Sequence, residues 1–268
     1  MKNENPTVED FDFEKEKEKL KHLKGIDDVI FQVMALDEAF CQEMLQIILE
    51  DNKVEVIQVI PQYSIHNLHG RSVRLDALCR MRDGILCNVE IQKSNNDNHV
   101  RRVRYNASCI TASATKVGSD FIDVPDVCIV YISTFDIFKR GRTIYHIDRI
   151  IRETEEFCDN GCKEVYVNTA VDDGTTIADY MQCFLQEDVN DSRFKEFSKR
   201  IKYVKGSKEG VKIVCDYVKE QLKERDIERC KNAITLGGPL EYILELFSDL
   251  DSKLIHELFA QFSPKAVK

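Results

Sequence analysis

The stretch SVRLDALCRMRDGILCNVEIQK, Ser72 to Lys93, constrains the fold more than any other part of the chain. Two runs of alternating apolar residues meet at Asp83-Gly84, the signature of a β-hairpin. Two registers compete. A two-residue turn pairs Arg82 with Ile85, sets Asp76 opposite Ile91 and mixes apolar with polar residues on both faces. A three-residue loop, Arg82-Asp83-Gly84 with Gly84 left-handed in a bulge, pairs Met81 with Ile85 instead. Leu75, Ala77, Cys79, Met81, Ile85, Cys87, Val89 and Ile91 then share one face, and Arg74, Asp76, Leu78, Arg80, Leu86, Asn88, Glu90 and Gln92 share the other. Only this register gives a continuous core face, and a one-residue slip turns a whole strand over. It sets Asp76 directly across from Glu90, with Gln92 two residues further along.

Directly opposed side chains start from Cβ atoms about 5 Å apart, where like charges repel unless a cation lies between them. Two solvated surface charges are the plain alternative. Two carboxylates with a strand-end carbonyl make an oxygen-only set suited to Mg²⁺, which keeps several of its waters. Such an ion activates a bound water and neutralises charge developing on a phosphodiester. The surrounding charge is compatible with that reading. The chain carries a net charge of −9, yet Arg71 to Lys116 holds nine Lys/Arg against four Asp/Glu. A basic island around two acids fits a polyanionic substrate, with Arg102 or Arg104 as phosphate contacts. It fits solvent-exposed helix residues equally well.

Other chemistries fit less well. The ten cysteines include no CxxC pair and several occupy apolar positions, so they read as small buried hydrophobes rather than zinc ligands or disulfides. No run approaches a membrane span, and Met1 to Asp12 has no signal-peptide core, so the sequence reads as a cytoplasmic protein without a membrane partner. At 268 residues, 43% hydrophobic and 32% charged, the chain has room for a large domain with an appendage.

Along the chain, residues 1–24 form a charged helical lead-in. Apolar residues from Val29 to Ile48 recur at helical spacing after Asp27-Asp28. Lys53 to Ile65 is strand-like, the hairpin follows, and His99 to Val117 reads as a helix capped by Asp97. Val127 to Thr134 is a strand covered on both faces, then come a short helix, a strand at Glu164 to Thr169, and helices to the end, broken at Gly206-Gly210 and Gly237-Gly238-Pro239. The expected fold is α/β with a mixed central sheet flanked by helices. Residues 25–190 form the core and 191–268 a helical C-terminal extension. Glu241, Glu245, Asp249, Asp251 and Glu257 stand against Lys253 alone in the last two helices. That composition favours packing or self-association into a homo-oligomer over base reading.

Asp76, then Glu90-x-Gln92, then Arg102-x-Arg104-Tyr105 on the following helix make the sequence resemble the PD-(D/E)XK nuclease superfamily. More narrowly it resembles the branch of PD-(D/E)XK nuclease family transposases, relatives of the recombination-promoting nucleases. DDVIFQVMALDEAFCQEMLQIIL, VRLDALCRMRDGILCNVEIQK, DVPDVCIVYISTFDIFKRGRTIYHIDR, DDGTTIADY and RIKYVKGSKEGVKIVC carry the resemblance in order, over about residues 25 to 225. It implies a restriction-endonuclease-like core and a Mg²⁺-dependent endodeoxyribonuclease, with Mn²⁺ as substitute, acting on DNA in recombination or transposition. It makes Asp76 and Glu90 the metal ligands and puts Gln92 where the superfamily has a Lys. Asp28 matches the branch's helical Asp, with Arg102, Arg104 and Tyr105 as accessory residues. Leu75 replaces the superfamily's Pro. Lys93 is adjacent in sequence, but strand alternation turns it to the other face. A nuclease-fold protein that no longer cuts and serves as a DNA-binding or oligomeric partner is the alternative, and RNA as substrate is not separable from DNA by sequence.

Overall fold

The computed structural model of the protein describes residues 11–66 and 71–263. The first ten residues of the expected lead-in, and the start of the stretch read for a signal peptide, lie outside them. The remainder of the lead-in forms helix α1 (Phe13–Leu20). The apolar run that follows is divided into α2 (Asp28–Met34) and α3 (Glu38–Ile48). Periodicity alone reads it as one helix. Asp37 interrupts it: its backbone is extended, and its carboxylate accepts the N–H of Phe40 at 3.0 Å as the N-cap of α3.

Six strands form the central sheet: β1 (Val56–Ile65), β2 (Val73–Met81), β3 (Leu86–Gln92), β4 (Val127–Ser133), β5 (Ile144–Ile147) and, after a two-stranded ribbon of β6 (Ile150–Ile151) and β7 (Glu156–Phe157), β8 (Cys162–Asn168). Their order is β1-β2-β3-β4-β8-β5. β1 to β3 are antiparallel, β3, β4 and β8 are parallel, and β5 runs antiparallel to β8 at the edge. The fold is the expected α/β, with a mixed sheet flanked by helices. One element differs. The expected short helix between β4 and β8 is replaced by β5 and the ribbon. Thr143 to Ile147 (TIYHI) is rich in β-branched and aromatic side chains, and it gives the otherwise open edge of β8 a hydrogen-bonding partner.

The hairpin takes the three-residue loop. Met81 N–H donates to the Ile85 carbonyl at 2.9 Å, Gly84 N–H to the Met81 carbonyl at 3.0 Å, and Gly84 lies at φ 93°. The register runs Arg80↔Leu86, Cys79↔Cys87, Leu78↔Asn88 and Ala77↔Val89. A Cβ on Gly84 would meet nothing within 4 Å, so replacing it tests the backbone alone. Gly84→Val is expected to lower unfolding free energy by about 1–2 kcal/mol in a denaturant titration, and Gly84→Asn by less. Equal stability for Val would contradict the left-handed loop.

Both faces of the hairpin are covered. Helix α4 (His99–Ala114), whose N-cap is Asn98 rather than Asp97, connects β3 to the parallel β4. Its Val103, Ala107 and Ile110 pack with Leu78, Leu86, Ile129, Tyr131 and Tyr166. On the other face Cys41 of α3 lies against Cys79, which stands in register with Cys87 and, through it, Cys128. These four thiols are fully or nearly buried, and all ten cysteines are free, in keeping with cysteine as a small apolar residue. Helices α5 (Thr176–Cys183) and α6 (Lys195–Gly206) close over α2 and α3 with an aromatic cluster. Phe40 and Phe197 are 5.6 Å apart by ring centres, and Phe184 and Phe197 5.0 Å. The Glu43 carboxylate accepts N–H groups of Glu196 and Phe197 at 2.9 and 2.8 Å, satisfying donors at the start of α6.

The chain forms two compact units, 1–211 and 212–268, with α7 (Lys208–Thr235) running through the division. In the second unit α8 (Leu240–Leu246) and α9 (Ser252–Phe262) share a small core of Cys230, Ile234, Ile243, Phe247, Leu250, Ile255 and Leu258. The five acidic residues counted there are all exposed. Among the described residues no helix is long and apolar enough to cross a membrane.

Candidate active site

The β2–β3 ladder ends at Ala77↔Val89. One residue beyond, Oδ2 of Asp76 accepts the backbone N–H of Ile91 at 2.8 Å, so a side chain stands where the next inter-strand bond would fall. β3 keeps its pairing with β4 out to Gln92↔Ser133. The hairpin therefore opens at the end that carries both acids, and the register continued by one residue sets Asp76 beside Glu90.

Glu90 is 1% exposed. Its Oε1 accepts from Asn88 Nδ2 at 2.9 Å, while Oε2 is buried with no hydrogen-bond partner. Burial, and then the charge of Asp76, push the Glu90 carboxyl up to about 8, against the pull of Asn88, Arg102 and the Asp76 backbone N–H. Burial raises Asp76 to about 6, with Asp28 adding to the rise and the Ile91 N–H and the Arg102 and Arg74 charges opposing it. Asp28, at the first position of α2, is itself raised by burial. A buried acid and a half-buried one thus raise each other's cost of ionising, with one oxygen of Glu90 left without a donor. Such an arrangement is unfavourable by itself and is relieved by a cation.

The nearest cation is Arg102, on α4. Its Nη2 lies 3.6 Å from Glu90 Oε2, and its Nη1 donates to Gln92 Oε1 at 3.3 Å. Gln92 Nε2 donates in turn to the Ser94 carbonyl at 2.7 Å. Lys93 pairs with Asp27, where its charge also reaches Asp28.

Beside this cluster opens a cleft of about 600 Å³ lined by Arg71, Arg74, Arg101, Arg102 and Tyr105, with Asp97 and Asn98 at the start of α4. Tyr105 donates its hydroxyl proton to the Arg71 carbonyl at 2.5 Å, tying α4 to β2's approach. Arg104 does not join the cleft. It lines a separate cavity with Arg149, Phe121 and Ile122. Of the residues singled out from sequence, Asp76, Glu90, Gln92 and Arg102 come together, Asp28 stands within electrostatic reach, Tyr105 lies on the adjoining cleft, and Arg104 is elsewhere.

Asn88 and Arg101 are not among the residues the sequence singles out as site candidates. Asn88 shares the Glu90 face two positions earlier, a spacing that was readable. Arg101 lines the cleft from the first turn of α4, a direction that a run of three basic positions in four (Arg101, Arg102, Arg104) does not reveal by itself.

Asp76 and Glu90 suit a small, hard divalent ion. Both are carboxylates, and Glu90 Oε2 lacks a donor. Among the described residues no group of three or more His, Cys, Asp or Glu gathers as a ligand set, so waters would complete the coordination, as Mg²⁺ favours.

A mixed sheet covered by helices on both faces, opening at a hairpin end that carries two acids, is consistent with a restriction-endonuclease-like fold. Residues 30–162 match the family model of the PD-(D/E)XK nuclease family transposases, and over this segment the chain is similar to that family. No curated protein and no solved structure matches the chain.

Proposed function

We propose that the protein is a divalent-metal-dependent DNA endonuclease that hydrolyses phosphodiester bonds in recombination or transposition. The observation that carries this reading is the buried Glu90, with its donor-less Oε2 facing Arg102, set beside the half-buried Asp76 at the edge of a basic cleft. Asp76 and Glu90 would hold Mg²⁺ or Mn²⁺. When bound, the ion supplies Lewis acidity at a phosphodiester oxygen and acidifies a water.

The chain's own residues account for the rest. Asp76 is fixed through Oδ2 by the Ile91 N–H, and Glu90 through Oε1 by Asn88. Arg102 lies against Glu90 Oε2 and lines the cleft at the same time, so its guanidinium is placed to take a phosphate oxygen. Gln92 orients that guanidinium through Oε1. Its amide keeps one further lone pair and one further N–H, enough to align a water without bringing charge. Arg71, Arg74 and Arg101 give the cleft the sign that attracts a nucleic-acid backbone.

Gln92 at the superfamily's Lys position favours a second reading, a nuclease-fold protein that binds DNA without cutting it. Plasmid nicking by the purified protein with Mg²⁺, Mn²⁺, Ca²⁺ or EDTA separates the two. The endonuclease nicks with Mg²⁺ or Mn²⁺ and stops with EDTA. DNA retention without nicking in any metal would establish the second reading.

A further inference from the structure

Asn88 is fully buried at 0% exposure, at the centre of β3 and two residues before Glu90 on the same face. Its Nδ2 donates to Glu90 Oε1 at 2.9 Å, and its own Oδ1 is left buried with no partner. An unpaired amide oxygen in the middle of a covered sheet is a desolvation penalty that an apolar side chain of similar size avoids. What the amide gives in exchange is the orientation of its neighbour. With one lone pair of Oε1 taken by a fixed donor and its orientation set, Oε2 is the oxygen of Glu90 left fully open, and two-oxygen binding has to compete with the Asn88 bond.

We infer that Asn88 is a positioning residue that restricts Glu90 to one-oxygen coordination and so sets the ion preference of the site toward Mg²⁺ and Mn²⁺ over Ca²⁺. The inference rests on the reading of Glu90 as a metal ligand. The chemistry is one of geometry. Mg²⁺ requires near-octahedral single oxygens at short distance, whereas Ca²⁺ takes more ligands and readily accepts both oxygens of one carboxylate. A Glu whose second oxygen is bonded to an amide suits the first ion and handicaps the second. Asp76 is treated similarly, since Oδ2 receives the Ile91 N–H. That donor belongs to the backbone, so Asn88 is the place where a side chain controls the coordination mode. Partners one shell behind a ligand typically change metal affinity by about 10- to 100-fold when removed.

The test measures Mg²⁺ and Ca²⁺ affinity calorimetrically, without DNA, for the wild-type chain and the Asn88→Leu, Asn88→Ala and Glu90→Gln variants. Folding of each variant is checked by circular dichroism. The expected result is a fall of about tenfold or more in the Mg²⁺-to-Ca²⁺ affinity ratio for Asn88→Leu and Asn88→Ala. An unchanged ratio, with Glu90→Gln still weakening both ions, would overturn the role of Asn88 and leave the metal site standing. Equal Mg²⁺ affinity in the wild type and Glu90→Gln would overturn the ligand reading and the inference with it. A measurement on the wild type needs no buried substitution to fold. The infrared splitting between antisymmetric and symmetric carboxylate stretches, assigned to Glu90 by its loss in Glu90→Gln, is expected to be wide in Mg²⁺, the mark of one-oxygen binding. A narrow, two-oxygen splitting in Mg²⁺ would refute the inference.

Discussion

Replacing Glu90 with Gln is expected to abolish plasmid nicking and, without metal, to make the protein more stable at pH 8. The loss of cleavage should reach at least about a thousandfold, equivalent to about 4 kcal/mol of transition-state stabilisation. The gain in stability follows from proton linkage. Asp76 and Glu90 titrate at about 6 and about 8 in the folded protein, both above the ordinary carboxylate range. Between about pH 4 and pH 8 the folded state therefore binds more protons than the unfolded chain. The stability tied to this pair is complete below about pH 4 and is lost as pH rises through 6 and 8. The Gln side chain has no charge to bury, so the variant should not show Glu90's part of that loss. Its melting midpoint at pH 8 should stand about 3 °C or more above wild type. Mg²⁺ should restore the wild type and leave Glu90→Gln nearly unmoved. A wild type whose metal-free midpoint is flat from pH 5 to pH 8.5 would contradict the electrostatics of the pair, and nicking that survives Glu90→Gln would place the chemistry elsewhere.

Arg102→Ala and Arg104→Ala, two residues apart on α4, are expected to part company. Arg102 touches Glu90 and Gln92 and lines the basic cleft, whereas Arg104 opens onto a different cavity. Arg102→Ala should reduce cleavage by about 10²- to 10³-fold, the scale of removing one donor from developing charge. It should also lower the log–log salt slope of duplex DNA binding by about 0.9, one phosphate contact. Arg104→Ala should leave both within about twofold and 0.2 of wild type, on the same scales. Equal slopes for the two variants would move the DNA path off this end of α4. A loss confined to Arg104→Ala would shift it to the cavity that holds Arg149.

The hairpin was legible in the sequence because its two registers differ in which side chains they bury. Leu78 and Leu86 sat awkwardly on its polar face, and the structure accounts for them: α4 covers that face and uses them as core. The acid pair followed from the register, and the proximity of Gln92 from alternation. Arg102 was identified only jointly with Arg104, since a two-residue step on a helix changes direction by more than half a turn and sequence does not show which direction meets the cleft. The break at Asp37 was hidden because apolar spacing continues across it. β5 was hidden because its partner, β8, lies further along the chain, and pairing of that kind leaves no local mark. The buried donor-less oxygens are wholly tertiary. Nothing in NVE, read as a string, says that Asn88 will spend its amide on Glu90.

The match to the family model ends at residue 162, where β8 begins, although motifs of the resemblance read from the sequence continue beyond it. By itself the matched stretch would leave β4 with a bare edge and β5 with no strand to join, and α2 and α3 would lose the aromatic cover of α5 and α6. The matched stretch and the stretch that closes the core are therefore different lengths of the same polypeptide: the first builds the acids and the arginine helix, and the second also takes the following strand and two helices. Grafting the matched stretch alone into another protein would transfer Asp76 and Glu90 without the strand and helices that complete the core around them.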